Sequence, residues 1–417
     1  MATDSKDCVD LGHASLVPLI QDVQVLQRRG PIHVLKANLS GAGQAWLEGG
    51  LCPLVDKDKP VLVKFVQRVK SEHDPSFQAA MKMEIDVLRD LPPSPLLNRL
   101  LCCMKTLKDG VYSYWMVSEY LDAPDMFRWL IHSEDCKGEE GYAACTQNGP
   151  CIFWLAFLTL GVLHKHGIFH RDVKLENFIL RKPVDIEGFP PLETFMPPGF
   201  LPPSPAQNAR AIPTLIDFGA ACVWPRSAAS PLFDTCTKTR VGTPATADPW
   251  LADHKLNPFV LEMADYFSLV IVMCMVYTKR QLMWEGVLPN KTKKPLLSLS
   301  LLRRAPGKRE PLLFAAMPPK LKEIAIRTLA LGELQLVGGT FFLSDDMSYY
   351  EATSNEEPFT LKSLTSEDVV ARVTSLSKIN IDKIYIDISM VPRFRIQPKD
   401  ISGILGIGED SEKLLFP

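Results

Sequence analysis

The stretch HRDVKLENFIL, residues 170 to 180, constrains this chain more than any other. His170, Arg171, Asp172, Lys174, Glu176 and Asn177 crowd into one short run, which then closes on Phe-Ile-Leu. A half-buried strand alternates polar and apolar side chains and would not carry this load. A solvated loop has no use for the apolar ending. The stretch reads as a loop of charged groups leading into a buried strand.

The rest of the chain sets the frame for that loop. Its 417 residues suit two or three lobes built on more than one core. Net charge is −2, so nothing in bulk electrostatics draws the chain toward nucleic acid or an anionic membrane. The opening MATDSKDCVDLGH lacks the basic-then-apolar order of a signal peptide. The apolar runs CIFWLAFLTLGVL and FSLVIVMCMVY are too short to span a bilayer and are expected to be core helices. The ten cysteines show no CxxC pairs, which points to reduced thiols in a cytoplasmic or nuclear protein without a zinc site. The sequons at Asn38 and Asn290 read as chance matches.

The expected organisation has four parts. Residues 1–30 form an extension with a short helix. Residues 31–121 form a strand-rich lobe containing VLVKFV, VYSYWMVSEYL and one helix, DPSFQAAMKMEIDVLRD, with Phe77, Met81, Ile85 and Leu88 on one face. Residues 122–345 form a helical lobe. Its segment LEMADYFSLVIVMCMVYT is apolar all round, as a central buried helix is, and PPKLKEIAIRTLAL is amphipathic. Residues 346–417 form a C-terminal extension in which KINIDKIYIDISMV suggests a strand. The Pro-rich stretch 181–212 interrupts the helical lobe as a surface insert, either a docking peptide in polyproline form or an inert loop.

Taken singly, the charged residues have ordinary readings. An Asp at a strand-to-loop turn is usually a cap, a Lys in a strand snorkels, and a Lys/Glu pair is usually a surface bridge. Their joint order overturns this. VLVK carries Lys64, the following helix carries Glu84, HRDVKLEN follows, then IDFG brings Asp217, and MADYFSL supplies Asp265. In that order the motifs resemble the eukaryotic protein kinase family over roughly residues 31 to 335. The resemblance implies an α+β, two-lobed protein-kinase-like fold with a small β-rich N-lobe and a larger helical C-lobe.

It also implies chemistry. Asp172 would accept the proton of a substrate hydroxyl, and Lys174 would balance charge on the transferring phosphoryl group. Asn177 and Asp217 would hold Mg²⁺, and Lys64, paired with Glu84, would reach the phosphates of ATP. Gly41 and Gly43 would form the phosphate loop. Glu119 and Leu121 would meet the adenine edge behind a Ser118 gatekeeper, Asp125 would meet the ribose, and Ile179 would line the nucleotide site. Arg171 would pair with a phosphorylated activation segment, with Thr239 the favoured acceptor and Thr235 and Thr237 close to it. Thr243 would hydrogen-bond the catalytic Asp. Lys174, two residues after that Asp, is the family's Ser/Thr-type pattern, and the partners implied are protein substrates.

Three departures stand out. NLSGAGQAWLEGG matches the family's G-x-G-x-x-G-x-V poorly, with Gln44 at the third Gly and Trp46 at the Val. Leu62 replaces a small Ala over adenine, so Trp46 and Leu62 would crowd the nucleotide roof. The A-P-E tripeptide is Asp248-Pro249-Trp250, and no downstream Asp-Pro-x-x-Arg supplies the Arg that its Glu would pair with. Losing both halves together is coherent, because one buried partner alone is costly. The sequence therefore reads as a divergent, active Ser/Thr kinase, or as a pseudokinase that binds nucleotide or partners without efficient transfer. Phosphotransfer to a small molecule is a third reading, which HRDVKLEN and the long activation segment disfavour.

Overall fold

The computed structural model describes residues 8–10, 19–29, 32–46, 59–66, 75–108, 111–132, 138–201, 211–224, 236, 241–243, 246–248, 251, 256–278, 286–287, 293–294, 296–298, 317–328, 334–336, 339–343, 349–352, 361–364, 385–387 and 396–416. Six strands form the N-terminal sheet: β1 (Val9–Asp10), β2 (Ile20–Arg29), β3 (Ile32–Leu39), β4 (Val61–Val66), β5 (Leu100–Lys108) and β6 (Val111–Glu119). Their order is β1-β5-β6-β4-β3-β2, antiparallel except for the parallel pair β1 and β5.

The strand period sorts this sheet into two faces. Leu35, Leu39, Val61, Val63, Cys102, Met104 and Val117 pack together on one of them. On the other, Val34 lies opposite Lys64, Lys64 opposite Met116, and Met116 opposite Cys103, a single row across four strands. Met116 and Cys103 join Met81, Ile85 and Leu88 of the helix α2 (Pro75–Asp90) in the main core. The apolar face expected for that helix is thus the buried one; the side chain of Phe77 lies outside the described residues.

The N-terminal region departs from expectation. Ile20–Arg29 is a strand that pairs with β3, and Val9–Asp10 adds to β5, so the sheet begins well before residue 31; nearly all the rest of the extension, where a short helix was expected, lies outside the described residues. Alternating Val23 and Val25 in a polar run carry a period-two signal that a reading of isolated segments passes over.

The helical lobe centres on α4 (Gly138–Lys165) and α5 (Pro258–Thr278), after α1 (Gly41–Trp46) and α3 (Met126–His132). Trp154, Phe157, Tyr266 and Phe267 meet in its core. By length and composition, two helices reach the size needed to cross a membrane, Thr146–Lys165 and Pro258–Tyr277, longer than the apolar runs alone suggested. Their side chains are mostly packed inside this lobe, as core helices are. Four short strands, β7 (Ile168–Phe169), β8 (Phe178–Arg181), β9 (Ile212–Leu215) and β10 (Cys222–Val223), pair as β7 with β10 and β8 with β9 and frame the HRDVKLEN loop.

The expectation for the Pro-rich insert is corrected here. The described part of the insert, up to residue 201, is a chain of 3-10 turns whose Ile186, Leu192, Met196 and Phe200 are buried in the main core. These four side chains serve the lobe, while Val184 is exposed; residues 202–210 lie outside the described set. The last described stretch of the C-terminal extension, residues 396–416, packs on the lobe, one of the two places the sequence left open for it. Helices α7 (Pro398–Leu405) and α8 (Glu409–Leu415) follow α6 (Pro319–Thr328), and Ile396, Ile401, Leu405 and Leu415 are buried in the same core. Trp154 Nε1 donates to the Leu405 carbonyl at 3.0 Å, and Lys165 Nζ reaches Glu412 at 2.6 Å. One short strand before α6, Leu296–Ser298, and five between α6 and α7 form a separate six-stranded sheet, which includes Tyr385–Asp387 in the stretch expected to be a strand. Ending the chain at residue 395 is expected to lower Tm by about 10 °C or more, since each lost buried aliphatic side chain contributes roughly 1.5–3 kcal/mol. A melting curve within about 2 °C of the full chain would show that the last two helices are not part of the lobe.

The thiols also differ from expectation. Cys8 is joined to Cys103 and Cys222 to Cys236, while Cys151 and Cys274 are buried thiols. Sequence spacing carried no sign of partners 95 residues apart.

Candidate active site

Lys64 sits in β4 with its side chain on the face shared by Val34 and Met116. Its Nζ donates to Glu84 Oε1 at 2.7 Å and Oε2 at 3.0 Å, and to Asp217 Oδ1 at 2.9 Å. Helix α2 delivers Glu84 because Met81, Ile85 and Leu88, on the same turns, are buried. Burial alone would lower the Lys64 ammonium, but the carboxylates of Glu84 and Asp217 outweigh it and hold its pKa above the usual value. Burial would raise Asp217, and Lys64 beside it overrides that and holds the carboxyl at about 2. Both groups are charged at neutral pH.

Asp217 stands in the left-handed region at φ 61°, rare for a residue with a side chain and a mark of local strain. Phe218, next to it, is fully buried and its ring meets His170 edge-on at 5.0 Å. Gly219 follows because a Cβ there would come within 3.3 Å of Asp217 Oδ1 and 3.4 Å of Glu84 Oε2. A side chain would press into the ion cluster.

The HRDVKLEN loop is a local hydrogen-bond lattice. Asp172 accepts from Thr243 Oγ1 on Oδ1 at 2.7 Å and from Lys174 Nζ on Oδ2 at 2.7 Å, while Lys174 also donates to Thr243 at 3.1 Å. Asn177 Nδ2 donates to the Asp172 carbonyl at 2.8 Å and to Oδ2 at 3.3 Å. That leaves the Asn177 side-chain oxygen as an acceptor. Gly242, at φ 87°, lets Thr243 come this close, since a Cβ on it would collide with the Arg171 carbonyl.

Asp265, fully buried in α5, holds the loop from below. It accepts from the His170 amide on Oδ2 at 2.8 Å and from the Arg171 amide on Oδ1 at 2.7 Å. His164 Nε2 lies 3.0 Å from Asp265 Oδ2, and its ring stacks on Phe169 at 5.4 Å. His164 has a structural part that sequence reading missed; its only signal was a His in the last turn of an apolar helix. Burial would lower its pKa, yet the hydrogen bond to Asp265 more than compensates and raises it above the usual 6.5. The stability it adds is complete below 6.5 and is lost as pH rises through the raised value. The Tm gap between wild type and His164→Asn is therefore expected to be wider at about pH 6 than at about pH 9, read by thermal melts; a gap that grows with pH would contradict the pairing.

Most of the residues picked out in the sequence converge. Ser118 is buried opposite Leu62, Glu119 ends β6 opposite Val61, and Leu121 follows on the segment linking β6 to α3. Asp125 Oδ1 accepts from the Arg128 amide at 2.7 Å and so caps α3, and Asp125 also bridges to Ile179 in β8. Arg171 is buried, its Nε donating to the Ala220 carbonyl at 2.8 Å, at the base of the segment after Asp217. Burial lowers its pKa to about 10, still charged at neutral pH. Thr239, Thr235 and Thr237 lie outside the described residues.

Gly41 and Gly43 do not converge. They begin α1, beyond the end of β3 away from Lys64, and a Cβ on Gly43 would strike the Leu19 carbonyl. The residue across from Lys64 is Val34, so the Val placed at Trp46 is corrected to Val34. Counting back from Val34, the family's three glycine positions fall on Gln27, Arg29 and Ile32 at the β2–β3 hairpin, in the run QRRGPIHV. The sheet register carries the correction, because a GxG-like string is common and the strand pairing is not visible in it. The side chain of Trp46 lies outside the described residues; Leu62 is on the face of Lys64, and Lys36 opposite it lies over the Tyr120 ring at 4.2 Å.

Asp217 and Asn177 suit Mg²⁺, a hard cation that takes oxygen ligands and leaves its other positions to phosphate and water. Among the described residues no group of three or more His, Cys, Asp or Glu forms a resident metal cluster.

An ion-paired Lys and Glu beneath a β-sheet, an Asp-Phe-Gly turn and this polar loop on a helical lobe define a protein kinase fold. The sequence model of the protein kinase domain matches residues 50–331, about two thirds of the chain, and the chain belongs to that family. Among curated proteins it is similar to serine/threonine-protein kinase ksp1 of Schizosaccharomyces pombe, 32% identical over 97 residues, 23% of this chain and 19% of that protein. It is also similar to protein kinase kin1 of the same yeast, 25% identical over 135 residues, 32% of this chain and 14% of the relative. Protein kinase C epsilon type of Rattus norvegicus is 28% identical over 146 residues, 35% of this chain and 17% of the relative. The aligned stretches span less than a fifth of each relative's length.

Proposed function

We propose that the chain is an active Ser/Thr protein kinase that uses ATP with Mg²⁺. The observation that carries this is the joined state of the site: Lys64 closed on Glu84 and Asp217, with Asp172, Lys174 and Thr243 bonded to one another. Positioning and charge neutralisation supply most of the catalysis in phosphoryl transfer, and both are built here. The names of the similar kinases support the same reading.

In this mechanism Lys64 holds the nucleotide phosphates, itself fixed by Glu84. Asp172 orients the acceptor hydroxyl and takes its proton as the oxygen attacks the γ-phosphorus. The bond from that phosphorus to the bridging oxygen breaks, and ADP leaves. Lys174, tied to Asp172, balances charge on the moving phosphoryl group, and Thr243 keeps the Asp172 carboxylate in register. Asp217 and Asn177 would hold Mg²⁺, which would supply charge neutralisation at the phosphates. Protein hydroxyls are the substrate class, and the cytoplasm or nucleus is the proposed setting.

One observation favours a second reading, a scaffold that binds nucleotide or partners without efficient transfer. The three positions where the family carries glycine are Gln27, Arg29 and Ile32 here, and those glycines elsewhere let the backbone approach the phosphates. Incubation with MgATP and a generic basic protein, followed by phosphoamino acid analysis, separates the two. Phosphoserine or phosphothreonine is expected. Phosphotyrosine, or none in protein already phosphorylated on its activation segment, contradicts the first reading.

A further inference from the structure

The sulfurs of Cys8 and Cys103 have a third member beside them. Arg89, in the last turn of α2, points Nη2 at Cys103 Sγ at 2.8 Å and at Cys8 Sγ at 3.5 Å. Cys8 is partly exposed and Cys103 buried. A cation beside a sulfur favours the thiolate, the form that attacks disulfides, and partial exposure admits a small reagent. Cys8 immediately precedes β1, whose Val9 and Asp10 pair with Met104 and Lys105, so the backbone brings the two cysteines together without the covalent bond. Their Cα atoms are 4.9 Å apart, within the range a disulfide requires.

We propose that Cys8, Cys103 and Arg89 form a reversible thiol–disulfide site at which a low-molecular-weight disulfide, such as oxidised glutathione, fastens the N-terminal strand to the back of the N-lobe. One protein thiolate attacks a sulfur of the small disulfide and expels one small thiolate, leaving a mixed disulfide. The other protein thiolate attacks the protein-bound sulfur and expels the second. The two protein thiols give up two electrons and two protons, and the small disulfide leaves as two thiols.

The site's place in the fold gives it a reason. Cys103 stands in the cross-strand row that runs through Met116 to Lys64, and Arg89 is on the helix that carries Glu84. Closing the bond holds the outer end of this row and the last turn of α2 to a chain segment otherwise tied by two residue pairs. Opening it frees that segment. The site does not depend on the reading of the active centre, because its chemistry can be followed without any transfer assay.

The test uses the full chain, equilibrated with reduced or oxidised glutathione and digested without reduction. A peptide linking Cys8 to Cys103 is expected in the oxidised sample and is lost in excess reduced glutathione; fragmentation between Cys102 and Cys103 assigns the sulfur. In the reduced protein, Arg89→Gln is expected to slow alkylation of Cys103 about tenfold, the change in thiolate fraction for one pKa unit. Cys8→Ser keeps Arg89 and Cys103 and serves where Arg89→Gln folds poorly. Wild type should melt higher when oxidised, because the bond constrains the unfolded chain, and Cys8→Ser should lose that part of the rise. Absence of the linked peptide in oxidised glutathione overturns the proposal, as does the same oxidation-dependent rise in Cys8→Ser, or unchanged alkylation in a folded Arg89→Gln.

Discussion

Asp172→Asn is expected to lower kcat by roughly two to four orders of magnitude, with little change in the KM for ATP. The amide keeps the shape and can still accept from Thr243, but it cannot take the hydroxyl proton. Lys174 loses its ion partner 2.7 Å away. The nucleotide contacts assigned to Lys64 and Asp217 are left in place, so the loss should fall on kcat. Steady-state kinetics on a protein substrate, with nucleotide affinity measured alongside, separates the two effects. A drop of less than about tenfold would mean that the proton leaves by another route.

Asp265→Asn is expected to destabilise the fold by roughly 3–5 kcal/mol and to weaken transfer with it. One carboxylate receives two backbone amides on different oxygens, and His164 shares one of them. Asn offers one oxygen and one NH₂. Whichever way it turns, a buried donor faces a donor, and His164 keeps only the more distant carboxylate of Glu262, at 3.6 Å. Denaturant unfolding would read the loss. A variant as stable as wild type would show that the loop is held by something other than Asp265.

Much of the site was legible because its chemistry is local. Residues 170–177 lie on one loop, so their order in the sequence is nearly their arrangement in space. Glu84 could be placed because the apolar period of α2 shows which side turns inward. What stayed hidden depends on pairing between distant segments. The nucleotide roof was placed on Gly41, Gly43 and Trp46 because the string resembles a glycine loop, and only the pairing of Val34 with Lys64 shows otherwise. The last two helices looked like a separate tail because a long segment separates them from α6. The Pro-rich insert looked like surface because its composition forbids regular structure. Yet Leu192, Met196 and Phe200, each four residues apart, were a readable sign of an inward face. Disulfide partners carried no sequence signal at all.

The central claim is that the assembled ions and hydrogen bonds perform transfer. The most direct measurement is phosphate transfer from labelled ATP with Mg²⁺, for wild type and Asp217→Asn side by side, with MgATP binding measured on both. The account predicts labelled protein from wild type and none from the variant, because Asp217 is both a Lys64 partner and the proposed metal oxygen. Tight MgATP binding by wild type, with no transfer even after its activation segment has been phosphorylated, would contradict it and leave HRDVKLENFIL as a set of groups kept for binding and shape.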